Sequence, residues 1–137
     1  VLGGCTRFFD AQTGKKIWSR IEAVCEGIAA TTGADIAVKV VARAPVLTST
    51  PEAVAAMREA ARRVVGSEHV VPEGRPEMAS EDFAFLRQKV AGGFAFIGNR
   101  NPGSDHVLHS PRFNFDDTVL PLGAAYWAEL ALLRLGA

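Results

Sequence analysis

Polar and apolar positions alternate along the N-terminal stretch in two rhythms. Val1 to Phe9 reads as a strand, weakened at Gly3 and Gly4. Asp10 suits the N-cap of a helix. Ile17, Ile21, Val24 and Ile28 then recur at spacings of four, three and four, a single helical stripe. Lys15, Lys16, Arg20, Glu22 and Glu26 are left to solvent, and Gly33 suits the left-handed stop. Beyond it Ile36, Val38, Val40 and Ala42 alternate with Ala37, Lys39, Val41 and Arg43, the period of a strand. Residues 1–43 thus predict a strand–helix–strand unit that cannot bury its own sheet face without further strands.

Residues 44–50 read as a linker, after which Thr50 and Pro51 open a helix faced by Val54, Met57, Ala61, Val64 and Val65 and closed by Gly66. Val70 and Val71 begin a short extended piece that Pro72, Gly74 and Pro76 break. Ser80 is expected to cap a short helix, with Phe83, Leu86 and Val90 on one side. Gly92 and Gly93 turn the chain into Phe94–Ile97, expected as a compact buried strand, and Gly98 to Asp105 as a loop. The last helix begins near Thr118, holds Pro121 in its first turn and ends at Gly136. It is apolar on most sides and so is expected to be sandwiched. The fold class expected is α/β: an antiparallel sheet with a helix on one face, then part of a layered α/β domain, divided near residue 47.

Charge narrows the function classes. The 137 residues carry 15 Lys plus Arg against 15 Asp plus Glu, with no like-charge block, so neither nucleic acid nor a membrane surface is the expected partner. No apolar run approaches the roughly 20 residues that span a bilayer. Cys5 and Cys25 have neither metal-knuckle spacing nor the number for a disulfide framework, which points to reduced thiols and a cytoplasmic setting. The chain opens at Val1 inside a strand-like pattern, as a piece of a longer protein would.

Two polar loops beside apolar elements hold the candidate chemistry. Leu108 to Asp117 gathers His109, Ser110, Arg112, Asp116 and Asp117. His109 is a candidate zinc or manganese ligand, with Asp116 or Asp117 near enough in sequence to orient the imidazole. A loop histidine with a local hydrogen bond is the plainer alternative. Ser80, Glu81 and Asp82 form the second loop. A helix start accounts for all three, and an outer partner of a metal-bound histidine is the functional alternative. If there is a site, these two loops are expected to meet in it. Arg7, central on its strand, is either a surface arginine or a carboxylate clamp, for which the planar guanidinium fits. Neither Ser80 nor Ser110 sits in a strand–turn–helix elbow, which disfavours a serine hydrolase, and the glycine pairs lack phosphate-binding spacing.

At these motifs the chain resembles the C-terminal part of the M20 metallopeptidase family, nearest its aminoacylase, hippurate hydrolase and indole-acetyl-amino-acid hydrolase branch. Gly4-Cys5-Thr6-Arg7-Phe8-Phe9-Asp10 is similar to that family's Gly-Thr-x-Arg-x-Phe-Asp, and Met78-Ala79-Ser80-Glu81-Asp82-Phe83-Ala84 to its Met-Gly-Ser-Glu-Asp-Phe-Ala. Gly93 to Gly98 is similar to the strand and glycine that follow, and Leu108-His109-Ser110-Pro111-Arg112-Phe113 to Leu-His-Ser-Pro-x-Phe. The resemblance implies a lid and dimerisation domain over residues 1–47 and the C-terminal part of a zinc-peptidase-like catalytic domain over residues 48–137. It implies a metal ligand at His109, substrate contacts at Arg7 and Gly98, and Ser80, Glu81 and Asp82 around the site. Ala79 in place of glycine, and Leu47-Thr48-Ser49-Thr50 in place of Pro-Thr-Val-Asn-Asp, are departures that bear on substrate range.

The resemblance further implies a divalent-metal amidohydrolase acting on small N-acyl amino acids, with two zinc or manganese ions per site and a homodimer formed through the lid. The family's other ligands and its general-base glutamate lie in an N-terminal half that has no counterpart in these residues. One imidazole falls short of the roughly three protein ligands of a catalytic metal site. The 137-residue chain by itself is therefore expected to be inactive. The rival reading is a non-catalytic dimerisation remnant.

Overall fold

Asp10 begins the first helix as its chemistry requires. In the computed structural model, which describes residues 1–71, 74–99 and 106–136, its extended backbone (φ −143°) turns into α1 (Ala11–Thr32), and its carboxylate accepts from Thr13 N at 2.7 Å. Gly33 ends α1 at φ 72°, and its N–H reaches Ala29 O at 2.9 Å. Gly14 is the buried residue of α1, and the Phe8 ring lies against it. Phe8 meets Trp18 edge to face at 5.5 Å, and Trp18 Nε1 donates to Thr6 Oγ1 at 3.0 Å. This cluster docks the N-terminal segment on the helix.

The chain divides into two units. The first comprises Val1–Thr48 and Arg75–Val90. Besides α1 it holds the short α3 (Phe83–Arg87), and Arg87 Nε donates to Thr48 O at 2.9 Å. Arg87 Nη1 also donates to Val90 O. The second comprises Ser49–Gly74 and Ala91–Ala137. There α2 (Pro51–Val65) packs against α4 (Leu120–Leu135), and Arg63 bridges them, 2.9 Å from Glu59 on its own helix and 2.9 Å from Glu129. A 3₁₀ turn at Ser67–His69 follows α2, and another at Asp117–Val119 leads into α4. Gly93 fits under α2: a Cβ on it would stand 2.5 Å from Met57 Sδ.

The expected α/β fold is overturned: among the described residues there is no β-strand, and neither the antiparallel sheet nor the layered α/β arrangement forms. Residues 1–9, 34–48 and 91–97 run without a ladder partner. Alternation encodes the face a segment would bury once paired, and the pairing itself is non-local. Ile36, Val38, Val40 and Val41 accordingly remain exposed. Phe94–Ile97, expected as a buried strand, is irregular, with Phe96 74% exposed. α4 is not sandwiched either: α2 covers one side, while Leu120, Trp127 and Leu135 stay open to solvent. Pro72 and residues 100–105 of the expected loop lie outside the described residues.

Candidate functional site

His109 is placed by two consecutive turns. Ser110 N donates to Val107 O at 3.0 Å, and Phe113 N to Ser110 O at 3.0 Å. His109 is the third residue of the first turn and has φ 69°. Negative φ at Leu108 with positive φ at His109 is the type II pattern, which ordinarily carries glycine there. The backbone is thus strained at the residue whose imidazole is the candidate ligand, and the side chain is exposed. Pro111 stands second in the next turn, where its fixed φ suits, and Ser110 Oγ accepts from Arg112 N at 3.2 Å.

Asp116, considered as the carboxylate that orients His109, instead caps the turn below it. Its Oδ1 accepts from Thr118 N at 3.0 Å and Thr118 Oγ1 at 2.6 Å. Its own N–H donates to Asn99 Oδ1 at 2.9 Å, so the residue after Gly98 braces the start of the helix approach. Gly98 itself is exposed, with open space where a Cβ would stand.

In the first unit the structure joins two candidates that are 73 residues apart: Arg7 Nη1 donates to Ser80 Oγ. Ser80 consequently does not cap α3. The helix starts at Phe83 with Asp82 in the cap position, already helical (φ −66°) and making no side-chain cap bond. The turn closes instead through Ala84 N to Glu81 O at 3.1 Å and Phe85 N to Asp82 O at 3.0 Å. Glu81 is half-buried and Asp82 exposed. Neither the Arg7–Ser80 bond nor the Asn99 brace is foreseen by the sequence. The signal available for the first was that both residues stand in the family-like motifs.

His109 and Gly98 fall in the second unit, and Arg7, Ser80, Glu81 and Asp82 in the first. Among the described residues no group of three His, Cys, Asp or Glu side chains is arranged to hold a metal ion. These residues by themselves therefore do not make a metal centre, and what His109 can offer is a single imidazole. Cys5 and Cys25 are free thiols. A groove of about 480 Å³ along α1, lined by residues such as Ile17, Ile21 and Val24, holds none of the candidates.

The profile of Peptidase family M20/M25/M40 matches residues 6–133. The chain belongs to this family. A hippurate hydrolase of Campylobacter jejuni subsp. jejuni is 35% identical over 129 residues, covering 94% of this chain and 33% of that protein. An N-acetyl-L-cysteine deacetylase of Bacillus subtilis is 30% identical over 135 residues, 98% of this chain and 31% of its own length. The IAA-amino acid hydrolase ILR1-like 6 of Arabidopsis thaliana is 48% identical over 56 residues, 39% of this chain and 12% of that one. The chain spans about a third of the length of the first two relatives. No solved structure matches it. M20 peptidases generally depend on divalent metal ions. No helix among the described residues is long and apolar enough to cross a membrane.

Proposed function

We propose that this M20 chain is the C-terminal part of a cytoplasmic, metal-dependent amidohydrolase that cleaves small N-acyl amino acids. The observation that carries the reading is the family match across residues 6–133. The names of two relatives support the substrate class, since hippurate and N-acetyl-L-cysteine are both N-acyl amino acids. In this reading residues 1–47 belong to a lid through which the enzyme forms homodimers, and residues 48–137 to the catalytic domain. A break between compact units falls between Thr48 and Ser49, although Arg75–Val90 groups with the first unit.

The roles follow from chemistry. Arg7, exposed and without an ion pair among the described residues, offers a bidentate cation for the carboxylate of the substrate. Gly98 leaves room beside the loop for the acyl group or the amino acid side chain. Glu81 and Asp82 are assigned the part of outer partners in the intact enzyme. His109 supplies one imidazole to a zinc or manganese centre whose other ligands, with the general base, come from chain outside these residues.

The reading is tested in the full-length enzyme. His109→Ala should abolish hydrolysis and lower metal occupancy measured by elemental analysis. Full activity at full occupancy would overturn the assignment. The 137 residues alone should not hydrolyse N-acyl amino acids, and metal-dependent turnover by them would defeat the reading.

A further inference from the structure

The Ser80 hydroxyl turns away from the helix start that the sequence assigned to it and accepts a hydrogen bond from Arg7. We propose that Ser80 is a positioning residue, holding the Arg7 guanidinium in the orientation in which it receives the carboxylate of the substrate. The inference rests on the reading of Arg7 as the carboxylate clamp and adds what makes the clamp effective.

Three observations carry it. First, the bond ties Arg7 to a segment distant in sequence, and that segment is itself anchored, since Arg87 Nε donates to Thr48 O at 2.9 Å. Arg7 is exposed, and a long exposed side chain must lose rotamer freedom whenever it binds a ligand. An acceptor on a second segment removes part of that freedom beforehand. Second, the acceptor is neutral. Glu81 and Asp82 stand next to Ser80, yet Arg7 forms no ion pair with either among the described residues. A hydroxyl orients the guanidinium and leaves its charge uncompensated, whereas a carboxylate in its place would compete with the substrate. Third, guanidinium has five N–H donors in a planar fork, so one engaged by Ser80 leaves others for two parallel bonds to a carboxylate.

The test is steady-state kinetics of the full-length enzyme on an N-acyl amino acid and on the matching neutral carboxamide. Ser80→Ala should raise KM for the acid about three- to tenfold, the loss of one hydrogen bond to an oriented cation. It should leave kcat within about twofold, because the bond serves ground state and transition state alike. Turnover of the carboxamide should not change. Ser80→Thr, which keeps the acceptor, should restore the KM, and Ser80→Asp should raise it at least as far as alanine does. In an Arg7→Ala background, Ser80→Ala should add nothing. If Arg7→Ala raises the KM for the acid and Ser80→Ala does not, the positioning role is overturned and the clamp stands. If Arg7→Ala itself has no effect, the clamp reading falls and this inference with it. Equal losses on acid and carboxamide would mark Ser80 as merely structural and overturn the proposal.

Discussion

Replacing Gly14 with alanine sets two opposing effects against each other inside α1. Glycine in a helix interior is less favourable than alanine by roughly 0.5–1 kcal/mol, because its backbone loses more freedom on folding. At Gly27 that gain stands alone, since a Cβ there meets nothing within 4 Å. At Gly14 the same Cβ would stand 2.5 Å from Phe8 Cζ and 2.7 Å from Cε1 and Cε2. Carbon atoms settle at about 3.5–4.0 Å, so the ring must retreat by roughly 1 Å. It cannot do so freely, because Phe8 leans on Trp18 and Thr6 holds the indole. Retreat gives up about 0.5–1.5 kcal/mol of edge-to-face contact, and overpacking of this kind costs about 1–3 kcal/mol in all. The steric loss wins. Gly14→Ala should destabilise the first unit by about 1 kcal/mol, while Gly27→Ala stabilises it by up to about 1 kcal/mol. Urea titrations followed by Trp18 fluorescence, in a Trp127→Phe background, measure both. In a Phe8→Ala background Gly14→Ala should turn into a gain. Equal stabilisation by the two glycine replacements would refute the account, and with it the docking of the segment that carries Arg7.

Asp10 makes α1 sensitive to acid. The Thr13 side chain and backbone, and Gln12, hold its carboxyl below the usual carboxylate range. A lowered folded value means the stabilisation is present above the unfolded value of 3.8 and is lost as pH falls through the folded one. Circular dichroism melts at neutral pH and at about pH 3 should show helix loss in the parent that Asp10→Asn, an uncharged cap, lacks. The Tyr126 hydroxyl is buried without a hydrogen-bond partner among the described residues, and burial pushes its pKa up. Tyr126→Phe should therefore leave stability unchanged or raise it by about 1 kcal/mol, read from the same urea titrations, and a loss of that size would show the hydroxyl to be satisfied.

The helix ends were legible in the sequence because their chemistry is local. Asp10 and Gly33 satisfy α1 with partners three and four residues away, and Pro51 and Gly136 mark α2 and α4 in the same way. What failed depended on partners distant in the chain. The alternation from Ile36 to Ala42 predicts a strand, but a strand exists only through its neighbour. The pattern predicts Ser80 as a cap for the helix beginning three residues on, yet its hydroxyl accepts from an arginine 73 residues away. Thr50 departs similarly: it stands at the start of α2, but its N–H and Oγ1 both donate to Gly92 O. In the candidate site the residue types were legible from the motifs. The geometry that gives Arg7 and His109 their character was not, since nothing in a one-dimensional pattern announces a long-range hydrogen bond or a left-handed histidine.

That left-handed histidine separates two kinds of selection. A non-glycine residue in this conformation costs about 1–2 kcal/mol, of which glycine would recover what its own greater loss of backbone freedom on folding, about 0.4–1 kcal/mol, leaves over. Any search that ranks variants by folding alone, whether a thermal screen or a solubility selection, will therefore favour glycine at position 109 and discard the imidazole with each gain. Gene copies released from catalytic duty should drift the same way, toward glycine or asparagine, while the turn around them persists. Under the ligand role proposed for His109, a histidine held there against its own backbone would mark a relative still kept for its chemistry.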